Sequence, residues 1–182
     1  RTMQTLVTDI MYVCNTERFM ISVCSPLELV IVSHLTSLTR PKLGEALYGQ
    51  FQLLRTRGFE AEMVIVDPQK ALAGLQGAYP GVVFDVSGAG DHLDKIDAKI
   101  RRIKDMMRSV IAGLPYQLPR ARIKDLVTYV VNRKNTRSTL ASASNTCPRV
   151  KFTGRRINYE KEYALAFGDY VECYDPTAAA RS

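Results

Sequence analysis

No run of 18 or more apolar residues occurs in this chain of 182 residues, so a membrane-spanning helix is not expected. The first 30 residues alternate apolar and polar groups, and lack the basic start, apolar block and small-residue cleavage site of a secretory leader. A soluble intracellular chain is therefore expected, with nothing to separate a nuclear from an organellar address. The chain opens on Arg1, and flanking segments of a longer polypeptide are expected. Histidine and cysteine are sparse and scattered. His34, His92, Cys14, Cys24, Cys147 and Cys173 leave no local pair with zinc-ligand spacing, and buried reduced thiols are the expectation. No internal repeat is visible.

What is present bounds the answer further. With 46% hydrophobic and 24% charged residues, the length suits one main domain with a good core. The net charge of +7 is unevenly spread. Residues 1–91 carry 7 Lys/Arg against 9 Asp/Glu, residues 92–137 carry 12 against 4, and residues 138–182 carry 6 against 5. A basic segment on a near-neutral scaffold is what a polyanion-binding face requires, because phosphate contacts act by charge neutralisation and counterion release. The plain alternative is a solvated helix face.

Three segments near the start read as strands: Thr5–Val13, Arg18–Cys24 and Leu27–Leu35. They are rich in β-branched and aromatic residues, and their short links imply antiparallel pairing. Pro41 opens a helix with Leu43, Leu47, Phe51 and Leu54 at helical spacing and Gly58 as its stop. The nearly unbroken apolar run Ala61–Val66 fits a central strand covered on both faces and, being reached by a helical crossover, parallel to a neighbour. A short helical stretch Gln69–Tyr79 and a fifth strand, Val82–Val86, follow. The order is βββαβαβ and then helices, an α/β fold. The longest helix spans about His92–Leu114, with an apolar stripe that includes Ile96, Ile100, Ile103 and Met107. Beside the stripe, Asp97, Arg101, Lys104 and Arg108 line a second face. A further amphipathic helix covers Arg122–Arg133, an exposed polar loop is expected over Asn135–Thr146, and strand-prone pieces lie at Tyr163–Phe167 and Tyr170–Tyr174.

Three carboxylates stand at positions of consequence. Asp9 interrupts an apolar strand, and Asp67 follows the strand that ends at Val66. A carboxylate within a central strand is costly to bury unless paired or metal-bound, and strand carboxyl ends are where α/β sites gather. If the two strands are parallel neighbours, Asp9 and Asp67 converge, and Asp97 supplies a third group from the long helix. Three carboxylates suit a site with two Mg²⁺ or Mn²⁺ ions, which hold the attacking and leaving oxygens of a phosphoryl displacement. On spacing alone, Asp9 reads equally as a solvated edge residue and Asp67 as a cap before Pro68.

The run from Gly88 to Lys104 (GAGDHLDKIDAKIRRIK) resembles the stretch of copia-like retrotransposon integrases that reads roughly GPGQHVPxxERKIRxIK, whose Glu is the third catalytic carboxylate. Thr8-Asp9-Ile10 resembles the first-strand motif and Val66-Asp67 the second. Leu114-Pro115-Tyr116, Asn132, Gly154-Arg155-Arg156 and Phe167-Gly168-Asp169-Tyr170 resemble the segments that follow the core, so the likeness runs collinearly from about Thr8 to Tyr174. Asp97 stands where that family has Glu, and Pro68 follows Asp67 where the family carries a small or polar residue.

The resemblance implies a ribonuclease H-like integrase core over residues 1–134, with a five-stranded mixed sheet, then a polar loop and strand-rich extension over residues 135–182. It implies Asp9, Asp67 and Asp97 as catalytic and metal-binding residues, with Asp94 as a fallback ligand and His92 at the mouth of the site. Mg or Mn is the implied cofactor, and DNA, ahead of RNA, the implied partner. Lys99, Arg101, Arg102, Lys104 and Arg108 are the expected nucleic-acid-binding residues. An oligomer or a larger assembly is expected. Three functions follow: an active polynucleotidyl transferase core, a domesticated inactive core serving as a nucleic-acid-binding or assembly subunit, and a ribonuclease H-type nuclease.

Overall fold

Alternating hydrophobicity and short turns build the first half of the chain into a sheet. The computed structural model describes residues 2–66, 72, 74–75, 77–86, 91–137 and 146–171, with the side chains of 91–93 excepted. Strands β1 (Thr2–Val13), β2 (Glu17–Ser25), β3 (Leu29–Leu35), β4 (Phe59–Val66) and β5 (Val83–Asp85) lie in the order β3-β2-β1-β4-β5. β1–β2 and β2–β3 pair antiparallel, whereas β1–β4 and β4–β5 pair parallel. β1 is thus the centre of a mixed sheet. The turn between β1 and β2 places Cys14 and Asn15 at positive φ, 50° and 57°, and Thr16 N donates to Val13 O. This twist matches that of the flanking strands. It also exposes Cys14, correcting the expectation of a buried thiol, while Cys24 and Cys147 are buried.

Helix α1 (Arg40–Arg55) carries Pro41 in its first turn and buries Leu43, Leu47, Phe51 and Leu54. These pack with Leu6, Ile10 and Met20 on one face of the sheet. Gly58, at φ +78°, closes the turn into β4 with its N–H on Arg55 O. Helices α2 (Asp91–Ala112) and α3 (Ile123–Asn135) cover the other face. There Ile96, Ile100, Ile103 and Met107 of α2 meet Leu126, Val127 and Val130 of α3 over Val7, Met11 and Ile21. The result is a three-layer α/β/α arrangement in which each strand face has its own hydrophobic cluster. Of the expected helix Gln69–Tyr79, residues 69–71, 73 and 76 lie outside the described residues.

The polar loop and the tail need correction. Asn135 and Thr136 are buried, and Asn135 ends α3. Its side-chain Oδ1 accepts from Val30 N at 2.9 Å and its Nδ2 donates to Val30 O at 2.7 Å, so an amide side chain pairs with the open edge of β3. The expected strands at Tyr163–Phe167 and Tyr170–Tyr174 are not formed among the described residues, which end at Val171. The segment instead carries short helices α4 (Pro148–Thr153) and α5 (Tyr159–Glu162). Its aromatic residues are drawn to the core: Phe152 stacks on Phe59, and Phe167 meets Tyr129. Tertiary contact has overridden strand propensity.

Candidate metal and nucleic-acid site

Strand alternation aims Asp9. Its neighbour Thr8 is buried on the α1 side, where Thr8 Oγ1 lies 2.9 Å from Ser22 Oγ. Ser22 Oγ donates to Gln50 Oε1 at 2.5 Å, and Gln50 Nε2 donates to Ser33 Oγ at 3.1 Å. This chain of hydrogen bonds satisfies four polar side chains beneath α1. Successive residues point to opposite faces, so Asp9 falls with Val7 and Met11 on the face that α2 and α3 cover. Asp9 is half-buried, and its Oδ1 accepts from Ile10 N at 2.6 Å.

The parallel ladder between β1 and β4 runs to the pair Thr8↔Val66. Asp9 is the next residue of β1; Asp67, next after Val66, lies outside the described residues. From above, α2 contributes Asp97, directly after the buried Ile96. At about 100° per residue, Asp97 stands beside the apolar stripe and is exposed, as is Asp94 one turn earlier. The side chain of His92 is outside the described set. Among the described residues no three His, Cys, Asp or Glu side chains gather into a metal site.

The five expected nucleic-acid-binding residues divide into two groups. Arg101 and Arg108 are exposed and Lys104 is half-buried, all on the Asp97 side of α2. Arg108 also pairs with Asp105 at 2.6 Å. Lys99 and Arg102 fall on the other side of the apolar stripe, toward α3. Lys99 Nζ lies 3.1 Å from Glu28 Oε2, in the β2–β3 turn. Burial first, then repulsion from Lys99, Arg102 and Arg137, lowers the pKa of Lys134 to about 8, against the opposing pull of Glu28.

Sequence reasoning passed over Glu28, Lys134 and Asn135. Asn135 carried a usable sign, since it continues the core-facing positions of Val127 and Val131 at intervals of four. For Glu28 there was none, because its partner is far away along the chain.

The chain has the ribonuclease H-like fold of retroviral integrase catalytic cores. It superimposes on the HTLV-2 integrase catalytic core domain in complex with magnesium with a TM-score of 0.58 at 11% identity, covering 83% of this chain and 95% of that one. For the catalytic core domain of BIV integrase the TM-score is 0.60 at 10% identity, covering 88% and 96%. For a chain of the simian T-cell lymphotropic virus intasome it is 0.61 at 10% identity, covering 96% of this chain and 58% of that one. No protein-family model and no curated protein sequence matches. No helix among the described residues is long and apolar enough to cross a membrane.

Proposed function

We propose that this chain is the core of a divalent-metal-dependent polynucleotidyl transferase acting on DNA, with Asp9, Asp67 and Asp97 as its carboxylates. The observation that carries the reading is the parallel β1–β4 ladder ending at Thr8↔Val66, with Asp9 on the face beneath α2. The division into a core over residues 1–134 and an extension over residues 135–182 belongs to this reading, as does the kinship with copia-like integrases. Nucleic acid and further copies or subunits are its expected partners.

The donors suit the metal. Asp9 and Asp97 offer hard oxygen ligands, and Asp9 keeps solvent access despite its central strand. When bound, Mg²⁺ or Mn²⁺ would polarise the phosphodiester and lower the pKa of an attacking water or 3′-hydroxyl. The protein's own part is positional. Asp9 is held by the most central strand, with its Oδ1 anchored on the Ile10 amide. Asp97 rides on a helix fixed by Ile96, Ile100 and Ile103, so packing limits how far the carboxylate moves. Arg101, Lys104 and Arg108 would hold backbone phosphate beside it, without reading bases.

The test is Mg²⁺-dependent cleavage and joining of DNA by the wild type and by Asp97→Asn. Activity abolished in a folded Asp97→Asn protein supports the proposal; activity that survives it overturns the role of Asp97. A second reading, a non-catalytic nucleic-acid-binding or assembly subunit, is favoured by Asp97 standing one methylene short of the Glu of the resembled family. A folded wild type that binds DNA but is inert with both metals would select it. A ribonuclease H-type activity would show instead as cleavage of the RNA strand of a hybrid.

A further inference from the structure

Lys99, Arg102, Met106 and Ser109 recur along α2 at intervals of three, four and three residues, and so form a face distinct from the Asp97–Arg108 line. Opposite it, α3 presents Lys134 with Arg137 just beyond its end; Arg102 and Lys99 are near enough to depress the Lys134 pKa. The lane between the two helices opens, toward the C-terminal half of α2, into a cleft of about 430 Å³. Its walls are Met106, Val110 and Val130, and its polar groups come from Ser109, Arg137 and the Arg133–Tyr163 pair.

That pair is the unusual element. The Arg133 guanidinium lies 3.6 Å from the Tyr163 ring centroid and 5.0 Å from that of Tyr129. Its Nη2 donates to Leu165 O at 3.0 Å, and its Nη1 is buried without a hydrogen-bond partner among the described residues. Tyr163 also shares a hydrogen bond with Thr136 and a tilted ring contact with Tyr159. Among the described residues, no carboxylate lines the cleft. Clustered cations leading to the Tyr163 ring, with the Arg133 guanidinium over it, match one chemistry well: phosphates along the cations and a flat base at the end.

We infer that the α2–α3 lane is a second nucleic-acid site, which takes unpaired single strand. Its phosphates lie along Lys99, Arg102, Lys134 and Arg137, and one base lies in the cleft against Tyr163. The inference rests on the reading of the chain as a nucleic-acid-acting core, and places a single-strand site on the side of α2 away from Asp97. From Asp97 to Ser109 the helix rises about 18 Å. A strand engaged at the carboxylates therefore reaches the cleft only over several nucleotides. A bound phosphate would also relieve the mutual repulsion around Lys134, because Glu28, the carboxylate that offsets it, already holds Lys99.

The test uses the full chain and fluorescence anisotropy with three probes: a short labelled oligothymidine, an abasic strand of the same length, and a duplex. Oligothymidine is expected to bind more tightly than the abasic strand and to quench tyrosine emission, which is readable because the chain has no tryptophan. Tyr163→Leu is expected to weaken oligothymidine roughly tenfold and leave the abasic strand unchanged. Arg102→Ala with Arg137→Ala, both at exposed positions, is expected to weaken both strands and lower the salt slope by about 1.4. This second variant decides the matter if Tyr163→Leu does not fold. Equal binding of the two strands by the wild type, or single-strand affinity indifferent to Arg102 and Arg137, overturns the inference. So does displacement of oligothymidine by an acidic peptide at equal charge. The duplex probe reads the Asp97 face separately, through Arg101→Ala with Lys104→Ala and Arg108→Ala, so failure of one site is distinguishable from failure of the other.

Discussion

Thr8 and Val66 face each other in the last register pair of the parallel β1–β4 ladder, so the next residues along the two chains are Asp9 and Asp67. This pairing follows from β4's apolar character and from the crossover through α1. The hydrogen-bonded chain Thr8–Ser22–Gln50–Ser33 holds the opposite face of β1. A register slip by one residue would turn Asp9 toward α1 and bury it against Leu43, Leu47 and Phe51, where a carboxylate is costly.

Gln50→Ala should therefore destabilise the fold by about 1–3 kcal/mol, because it strips partners from Ser22 and Ser33 beneath α1. Urea denaturation followed by circular dichroism measures this. A loss near zero would mean that the chain of hydrogen bonds does not lock β1.

Asn135→Ala should cost a similar amount, about 1–3 kcal/mol, since it leaves both backbone groups of Val30 without their side-chain partner. Asn135→Asp should recover little, because a carboxylate can accept from Val30 N but cannot donate to Val30 O. The denaturation midpoints of the two variants, compared with the wild type, check the prediction.

Lys134 gives a pH dependence of defined sign. Its pKa falls from 10.5 to about 8 on folding, so between these values the unfolded chain binds more protons and stability rises with pH. Below about pH 8 the penalty is fully present. Lys134→Met should accordingly stabilise the protein at pH 7, on the order of 1 kcal/mol after allowing for the solvent that reaches the ammonium, and much less near pH 10.5. A stability difference that does not change across this window would contradict the assignment.

On the other side of α2, the triple replacement Arg101→Ala, Lys104→Ala and Arg108→Ala should weaken duplex binding at every sequence. It should lower the salt slope by about 2.7 if each side chain neutralises one phosphate. Anisotropy over a range of salt concentrations reads this. Arg108 is the member most open to a smaller effect, because Asp105 already engages it.

The elements were legible where burial imposes a period. The apolar positions of β1 to β4 and the stripes of α1, α2 and α3 each face a cluster that their spacing announces. Asp9 stood out for the same reason, as a charge inside an apolar strand. What could not be read were contacts between distant residues. Lys99 looked like one more free cation of a basic run, yet Glu28 holds it. Tyr163 and Phe167 looked strand-prone, and instead pack against α3 through Arg133 and Tyr129. Local pattern reports which face is buried; it carries no information on which remote side chain arrives there.

The central claim, that Asp9, Asp67 and Asp97 form one metal site, is tested most directly by Mn²⁺ titration followed by electron paramagnetic resonance. The wild type, Asp9→Asn, Asp67→Asn and Asp97→Asn are compared, each shown to be folded by circular dichroism. The account predicts saturable Mn²⁺ binding by the wild type that is displaced by Mg²⁺ and weakened at least tenfold in each variant, since each removes a charged ligand. Binding that is absent in the wild type, or untouched by the loss of both Asp9 and Asp67, would contradict it.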